Sequence, residues 1–166
     1  MTSADAAWEA QLADLWKAMD DFAPDAFVAQ IDALVGDLPP GSAIGLFERG
    51  AAQDSTGHPE LAVPLYRAAL ETRLTGLRRR RAVIQMASSL RNLGEPAQAA
   101  DLLAAELATT TDELDGAVRA FLALALVDLG REREAVATSL LALARYLPRY
   151  NQSLARYAMS LSAKAR

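Results

Sequence analysis

Alanine returns along the chain at near-constant intervals, at Ala26, Ala62, Ala99 and Ala135, spaced 36, 37 and 36 positions apart. A glycine stands five residues before each of the last three, at Gly57, Gly94 and Gly130. A period of this length marks a stacked array of identical supersecondary units, and it constrains the fold before any single residue does. In a helix-turn-helix unit the glycine closes the first helix, because it accepts a positive φ that other residues resist. The alanine then falls in the second helix where the two axes cross, and a larger side chain there would push them apart.

Composition agrees with a helical array. Of 166 residues 52% are hydrophobic, but aromatics make up only 6%, and runs of β-branched residues are absent. Alanine, the best helix former, supplies much of the apolar fraction. No cysteine is present, which removes disulfides, thiolate zinc sites and thiol catalysis from consideration. The first residues, Met1 to Asp5, are polar and carry no basic or apolar leader, so a cytoplasmic location is expected. No apolar run approaches a membrane span. A net charge of −4 argues against nucleic acid as the main ligand.

The chain reads as a row of hairpins. Trp8, Leu12, Leu15, Trp16 and Met19 recur at helical spacing over 5–21, and Phe22-Ala23-Pro24-Asp25 interrupts the pattern. Phe27, Ile31, Leu34 and Val35 form the next apolar face, which Gly36 and Pro39-Pro40-Gly41 end. Ser42 is positioned to cap a helix running to about Gln53, and Pro59 to open the following one. Pro64 lies inside that helix, which must therefore begin later or bend. Helices are expected over 78–93, 97–108, 115–129, 132–146 and 150–163. Thr109-Thr110-Thr111-Asp112 forms a polar break between the second and third of these. The last has Leu147, Tyr150, Leu154, Ala158 and Leu161 spaced at three or four, and it would cover the apolar face that an open stack leaves bare.

The anchors resemble those of tetratricopeptide repeats. In that motif a small residue stands seven positions before the glycine, and the alanine five after it. Leu46, Gly50, Gly57, Ala62, Tyr66 and Ala69 fit, as do Val83, Met86, Ala87, Leu90, Gly94, Ala99 and Leu103. Leu122, Ala123, Leu126, Gly130, Ala135 and Ala142 form the third set. The chain departs from the motif in its longer period, in Arg49 where leucine is usual, and in a degenerate first hairpin. Longer stretches resemble the bacterial tetratricopeptide repeat group 5 family. Among them are Phe47-Glu48-Arg49, Asp54-Ser55-Thr56-Gly57, Gln85 to Gly94, Leu129 to Ala135 and Leu147-Pro148-Arg149-Tyr150. The resemblance implies an all-α, right-handed superhelix of such hairpins, forming one domain over 1–166. Its parts are a degenerate hairpin at 5–40, repeats at 42–76, 77–112 and 113–148, and a capping helix at 149–163. The family implies no reaction and no cofactor.

Arg81, Gln85, Ser88 and Asn92 form a polar stripe along one helix, with Arg91 beside it. By register with tetratricopeptide repeats, Arg81, Ile84, Ser88, Arg91 and Asn92 face the inner, concave surface. Phe47, Asp54 and Ser55 face it from the first repeat, and Ala117, Ala120, Leu124 and Asp128 from the third. A planar guanidinium beside amide and hydroxyl groups suits carboxylate recognition. The expected activity is therefore non-catalytic binding of a protein or peptide, through an acidic or C-terminal carboxylate group. Arg91 could instead pair with Asp54 or Asp128 and lock the repeats together. A homo-oligomerisation module (a homodimer in the simplest case) and a sensor of small anions are the alternative functions.

Other polar residues have plainer readings. The run Arg78-Arg79-Arg80-Arg81 winds around a helix, so its charges cannot share a face, and solvation or pairing within the chain explains it better than phosphate binding. Cations at a helix start oppose the macrodipole and require compensation from nearby acids, a partner or solvent. His58, the sole histidine, sits in a turn, and one histidine makes neither a usual metal site nor a triad. Asp20-Asp21 and Asp112-Glu113 flank loops, where capping accounts for them. Trp8, Trp16, Phe22 and Phe27 should form the core of the first hairpin. Tyr146, Tyr150 and Tyr157 each follow an arginine and are expected to pack with only the phenol at the rim.

Overall fold

The computed structural model describes residues 3–109 and 111–163, so the chain start at Met1-Thr2 and Thr110 of the polar break lie outside the described residues. Among the described residues every element is helical: α1 Ser3–Lys17, α2 Pro24–Val35, α3 Ala43–Ser55, α4 Pro59–Glu71, α5 Gly76–Asn92, α6 Pro96–Thr109, α7 Asp115–Asp128, α8 Glu132–Ala144 and α9 Asn151–Ala163. The expected first helix over 5–21 ends at Lys17, and Met19–Asp21 form a separate 3-10 turn. The chain divides into two compact units, Met1–Ala82 and Val83–Arg166, with the boundary inside α5.

In the first unit α1 packs on α2, α2 on α3, and α3 on α4. Trp8, Leu12, Phe27, Ile31, Val35 and Ala52 form a buried cluster, with Trp16 and Phe22 against it. Trp16 meets Phe27 edge-on at 5.0 Å, so the expected aromatic core of the first hairpin is present. Ala26 does not serve as a crossing point there. It is exposed, whereas Ala62, Ala99 and Ala135 are buried at 0, 0 and 3%. The first hairpin is built instead around the indole and phenyl rings of Trp8, Trp16, Phe22 and Phe27, and Ala26 faces solvent.

Each of the three anchor glycines closes its helix by one device. Gly57, Gly94 and Gly130 have φ of 90°, 80° and 69°. The next residue's N–H reaches back five positions in every case, from His58 to Gln53, Glu95 to Leu90 and Arg131 to Leu126, at 2.8–2.9 Å. The same closure recurs after α4 without glycine. Arg73 takes φ 64°, and Leu74 donates to the Ala69 carbonyl at 3.1 Å. Ser42 caps α3 as expected, its Oγ accepting from the Gly45 N–H. Helix α4 does begin at Pro59, so Pro64 lies in its interior. Pro64 and Glu60 are both exposed, which leaves water to satisfy the Glu60 carbonyl that loses its donor.

In the second unit α6 packs on α7, α7 on α8 and α8 on α9. Its interior is lined by Leu90, Leu103, Val118, Leu122 and Leu126, with Ala87, Ala99, Ala125, Ala135, Ala137 and Ala158 where helices approach closely. The final helix thus covers α8, as a capping helix should. The three tyrosines do not pack as expected: Tyr146, Tyr150 and Tyr157 are 72, 77 and 64% exposed. Leu154 and Ala158 turn inward, and the tyrosines are left on the outside of the α8–α9 end.

Candidate functional site

The residues expected to form a groove fall into one group in each unit. In the first, Phe47 is fully buried, with its ring 6.1 Å from that of Tyr66. Arg81 lies over Phe47 at 5.2 Å and is itself exposed. Phe47 therefore offers no surface of its own, because a flat guanidinium covers the ring and meets solvent in its place. Asp54 is half-buried and accepts the Tyr66 hydroxyl at 3.4 Å. Burial, reinforced by Asp54, pushes the Tyr66 phenol well above the ordinary tyrosine range. Gly50 makes this packing possible: a Cβ there would stand 2.9 Å from the Tyr66 ring.

In the second unit Arg91 donates through Nε to Asp128 at 2.5 Å, joining α5 to α7. This is one of the two pairings the sequence left open. Ser88 and Gln85 are half-buried on the same helix, and Asn92 is exposed. The Gln85 side-chain carbonyl is buried without a donor. Ile84, expected on the inner surface, is buried in the core, since it shares a face with Ala87.

From Asp128 the exposed face of α7 continues through Val127, Leu124 and Ala120. Leu124 and Val127 are 46 and 50% exposed, and with Val136 of α8 they rim an apolar depression of about 410 Å³. Its floor includes Ala123, Ala135 and Leu140. Sequence reasoning reached Ala120 and Leu124 but missed Val127 and Val136, which flank the Gly130 turn. Spacing of three and four along α7 is the signal that could have found Val127.

The arginine run is engaged within the protein. Arg78 grips Glu9 with both Nη atoms at 2.8 and 2.6 Å and reaches Glu48 through Nε at 2.9 Å. The bond to Glu9, more than that to Glu48, raises its pKa further above the ordinary arginine value. Glu48 is 1% exposed and also accepts the Trp16 indole N–H at 3.0 Å. Arg79 and Arg80 have partners too, and Arg80 is buried. The expected compensation at the start of α5 thus comes from acids of α1 and α3.

His58 stays at its turn, with Nδ1 3.1 Å from Glu60. Asp112 accepts the Leu114 N–H at 2.8 Å, a capping bond ahead of α7. Among the described residues no group of three His, Cys, Asp or Glu side chains could hold a metal ion, and no helix is long and apolar enough to cross a membrane.

The helix pairs, their glycine closures and the small residues at their crossings define a helical-repeat protein. A family model described as tetratrico peptide repeat matches residues 43–161, and the chain belongs to this family, the bacterial group 5 of these repeats. The match opens at the first residue of α3, so the aromatic first hairpin stands outside it. No curated protein and no solved structure matches the chain.

Proposed function

We propose that this protein is a non-catalytic scaffold that binds a protein partner through a peptide segment laid along α7 of the second unit. Membership of a repeat family suited to protein interaction supports the general reading. The observation that carries the specific one is the apolar depression of Ala120, Leu124, Val127 and Val136, on the same helix as Asp128, which holds Arg91. A peptide's apolar side chains would fill the depression, and an acidic group or C-terminal carboxylate would displace Asp128 and take the Arg91 guanidinium. Ser88 and Asn92 supply further donors on the same helix.

The test is an array of peptides presented with free and with amidated C-termini, bound to the wild type, Leu124→Asp and Arg91→Gln. The proposal expects free-carboxylate peptides with an apolar penultimate segment to bind, and both variants to lose that binding. Melting should change little, because a partly exposed ion pair contributes about 0–1 kcal/mol. If Arg91→Gln lowers stability by several times that amount and leaves binding intact, Arg91 is a lock and the carboxylate reading is wrong.

A further inference from the structure

Charge is divided unevenly along the sequence. No acid occurs after Glu134, whereas Arg145, Arg149, Arg156, Lys164 and Arg166 do. At the other extreme, residues 1–41 hold eight acids against the single base Lys17. A chain of net charge −4 is thus strongly polarised along its sequence.

Both poles are exposed and unneutralised where it matters. Asp20, Asp21 and Asp25 surround the turn from α1 to α2, are all exposed, and make no ion pair among the described residues. Lys17 is occupied by Asp14 at 2.9 Å, and the nearby Asp32 is held by Arg49. At the α8–α9 turn, Arg145 is bound to Asp115 at 2.7 Å, but Arg149 is exposed with no carboxylate partner among the described residues. Arg156 lies over the Tyr157 ring at 5.8 Å, also without one.

Three aromatic side chains accompany these cations. Tyr146, Tyr150 and Tyr157 are the most exposed large apolar residues of the described chain. Tyr150 in addition occupies the left-handed region at φ 65°, which an aromatic residue enters at a cost. The fold gains no burial from it there. Tyrosine and arginine together are the residue types that anchor interfaces, the ring supplying area and the phenol and guanidinium supplying donors to carboxylates.

We infer that the α8–α9 turn of one molecule docks on the α1–α2 turn of a second copy, Arg149 and Arg156 meeting Asp20, Asp21 and Asp25, with the three tyrosines packed around them. The occupant is argued from charge complementarity: the acidic surface that the basic turn lacks is carried by every copy of the chain. Such a contact is heterologous, using different patches on the two partners, so it propagates into short chains or closes into a ring. It is independent of the peptide reading, which uses α7 and Arg91.

Sedimentation velocity on the full chain across a concentration series tests this. At low salt the wild type should show concentration-dependent assembly, reversed at 0.5 M salt because exposed charge pairs are screened. Arg149→Glu with Arg156→Glu should weaken assembly by about tenfold or more, and so should Asp20→Lys with Asp21→Lys. Mixing the two variants is decisive: the intact acidic pole of one meets the intact basic pole of the other, and the two reversed poles are again opposite in charge, so assembly should return. Arg149→Gln serves if the reversals disturb folding, as judged by circular dichroism. A wild type that stays monomeric at millimolar concentration in low salt overturns the inference. So does assembly indifferent to salt and to both reversals, or a mixture that fails to assemble. Capture of single-stranded RNA by Arg149 and Arg156 in a monomeric wild type would assign the surface to another class of ligand and overturn it as well.

Discussion

Arg78→Met should be strongly destabilising, and the size of the loss can be worked from the contacts. Glu48 is 1% exposed and has two donors, Arg78 Nε and Trp16 Nε1. Removing the guanidinium leaves a buried carboxylate with one neutral donor, a situation that costs about 3–5 kcal/mol. Arg78 is partly exposed, so water can reach the vacated side, and the lower end of that range applies. The lost grip on Glu9, whose side chain is 35% exposed, adds under about 1 kcal/mol. The sum is about 3–4 kcal/mol. Glu48→Leu introduced alone leaves the Trp16 indole N–H without its acceptor while Arg78 keeps Glu9. In the double variant with Arg78→Met there is no Glu48 carboxylate left to strand. The double variant should therefore be more stable than Arg78→Met itself. Denaturant unfolding of the four proteins gives the cycle. A cost below about 1 kcal/mol for Arg78→Met, or additive effects in the double variant, would refute the reasoning.

Gly50→Ala gains about 1 kcal/mol of helix propensity but drives a Cβ to 2.9 Å from the Tyr66 ring, so a net loss of about 1–2 kcal/mol is expected in thermal or denaturant unfolding. Arg73→Gly should do the opposite: relief of the left-handed backbone outweighs the added freedom of the unfolded chain by about 0.5–1 kcal/mol. Gly130→Ala, with open space around its Cβ, should lose about 1–2 kcal/mol for the backbone reason alone. Tyr66 should keep its proton beyond the range near pH 10 where phenols ordinarily ionise. Its folded pKa is raised, so the unfolded chain releases this proton first and stability falls as pH climbs past 10. In an absorbance titration one phenol's signal should be missing until alkaline unfolding, and its appearance within the ordinary range would contradict the burial argument.

Much of the architecture follows from local rules that a sequence carries openly. Gly57, Gly94 and Gly130 stand where only a positive φ ends a helix, Pro59 and Pro96 where a first turn needs no N–H, and Ala62, Ala99 and Ala135 where axes meet. The buried acid was missed, although Glu48 shares a face with Ile44, Ala51 and Ala52 at spacings of three and four. Its partners carried no such signal. Glu9 and Trp16 lie more than thirty positions away, and only folding brings them to Arg78 and Glu48.

The surface divides the same way. Register with the repeat motif put Ala120 and Leu124 on the inner surface, and both are exposed on α7. It misread Phe47 and Ile84, which tertiary packing buried, and the three tyrosines, which it left exposed. Helix type, helix ends and crossing points are decided within a few residues and were determined by the sequence. Which face of each helix meets another helix, and which cation finds which carboxylate, depends on contacts across the chain, and only the tertiary structure decided them.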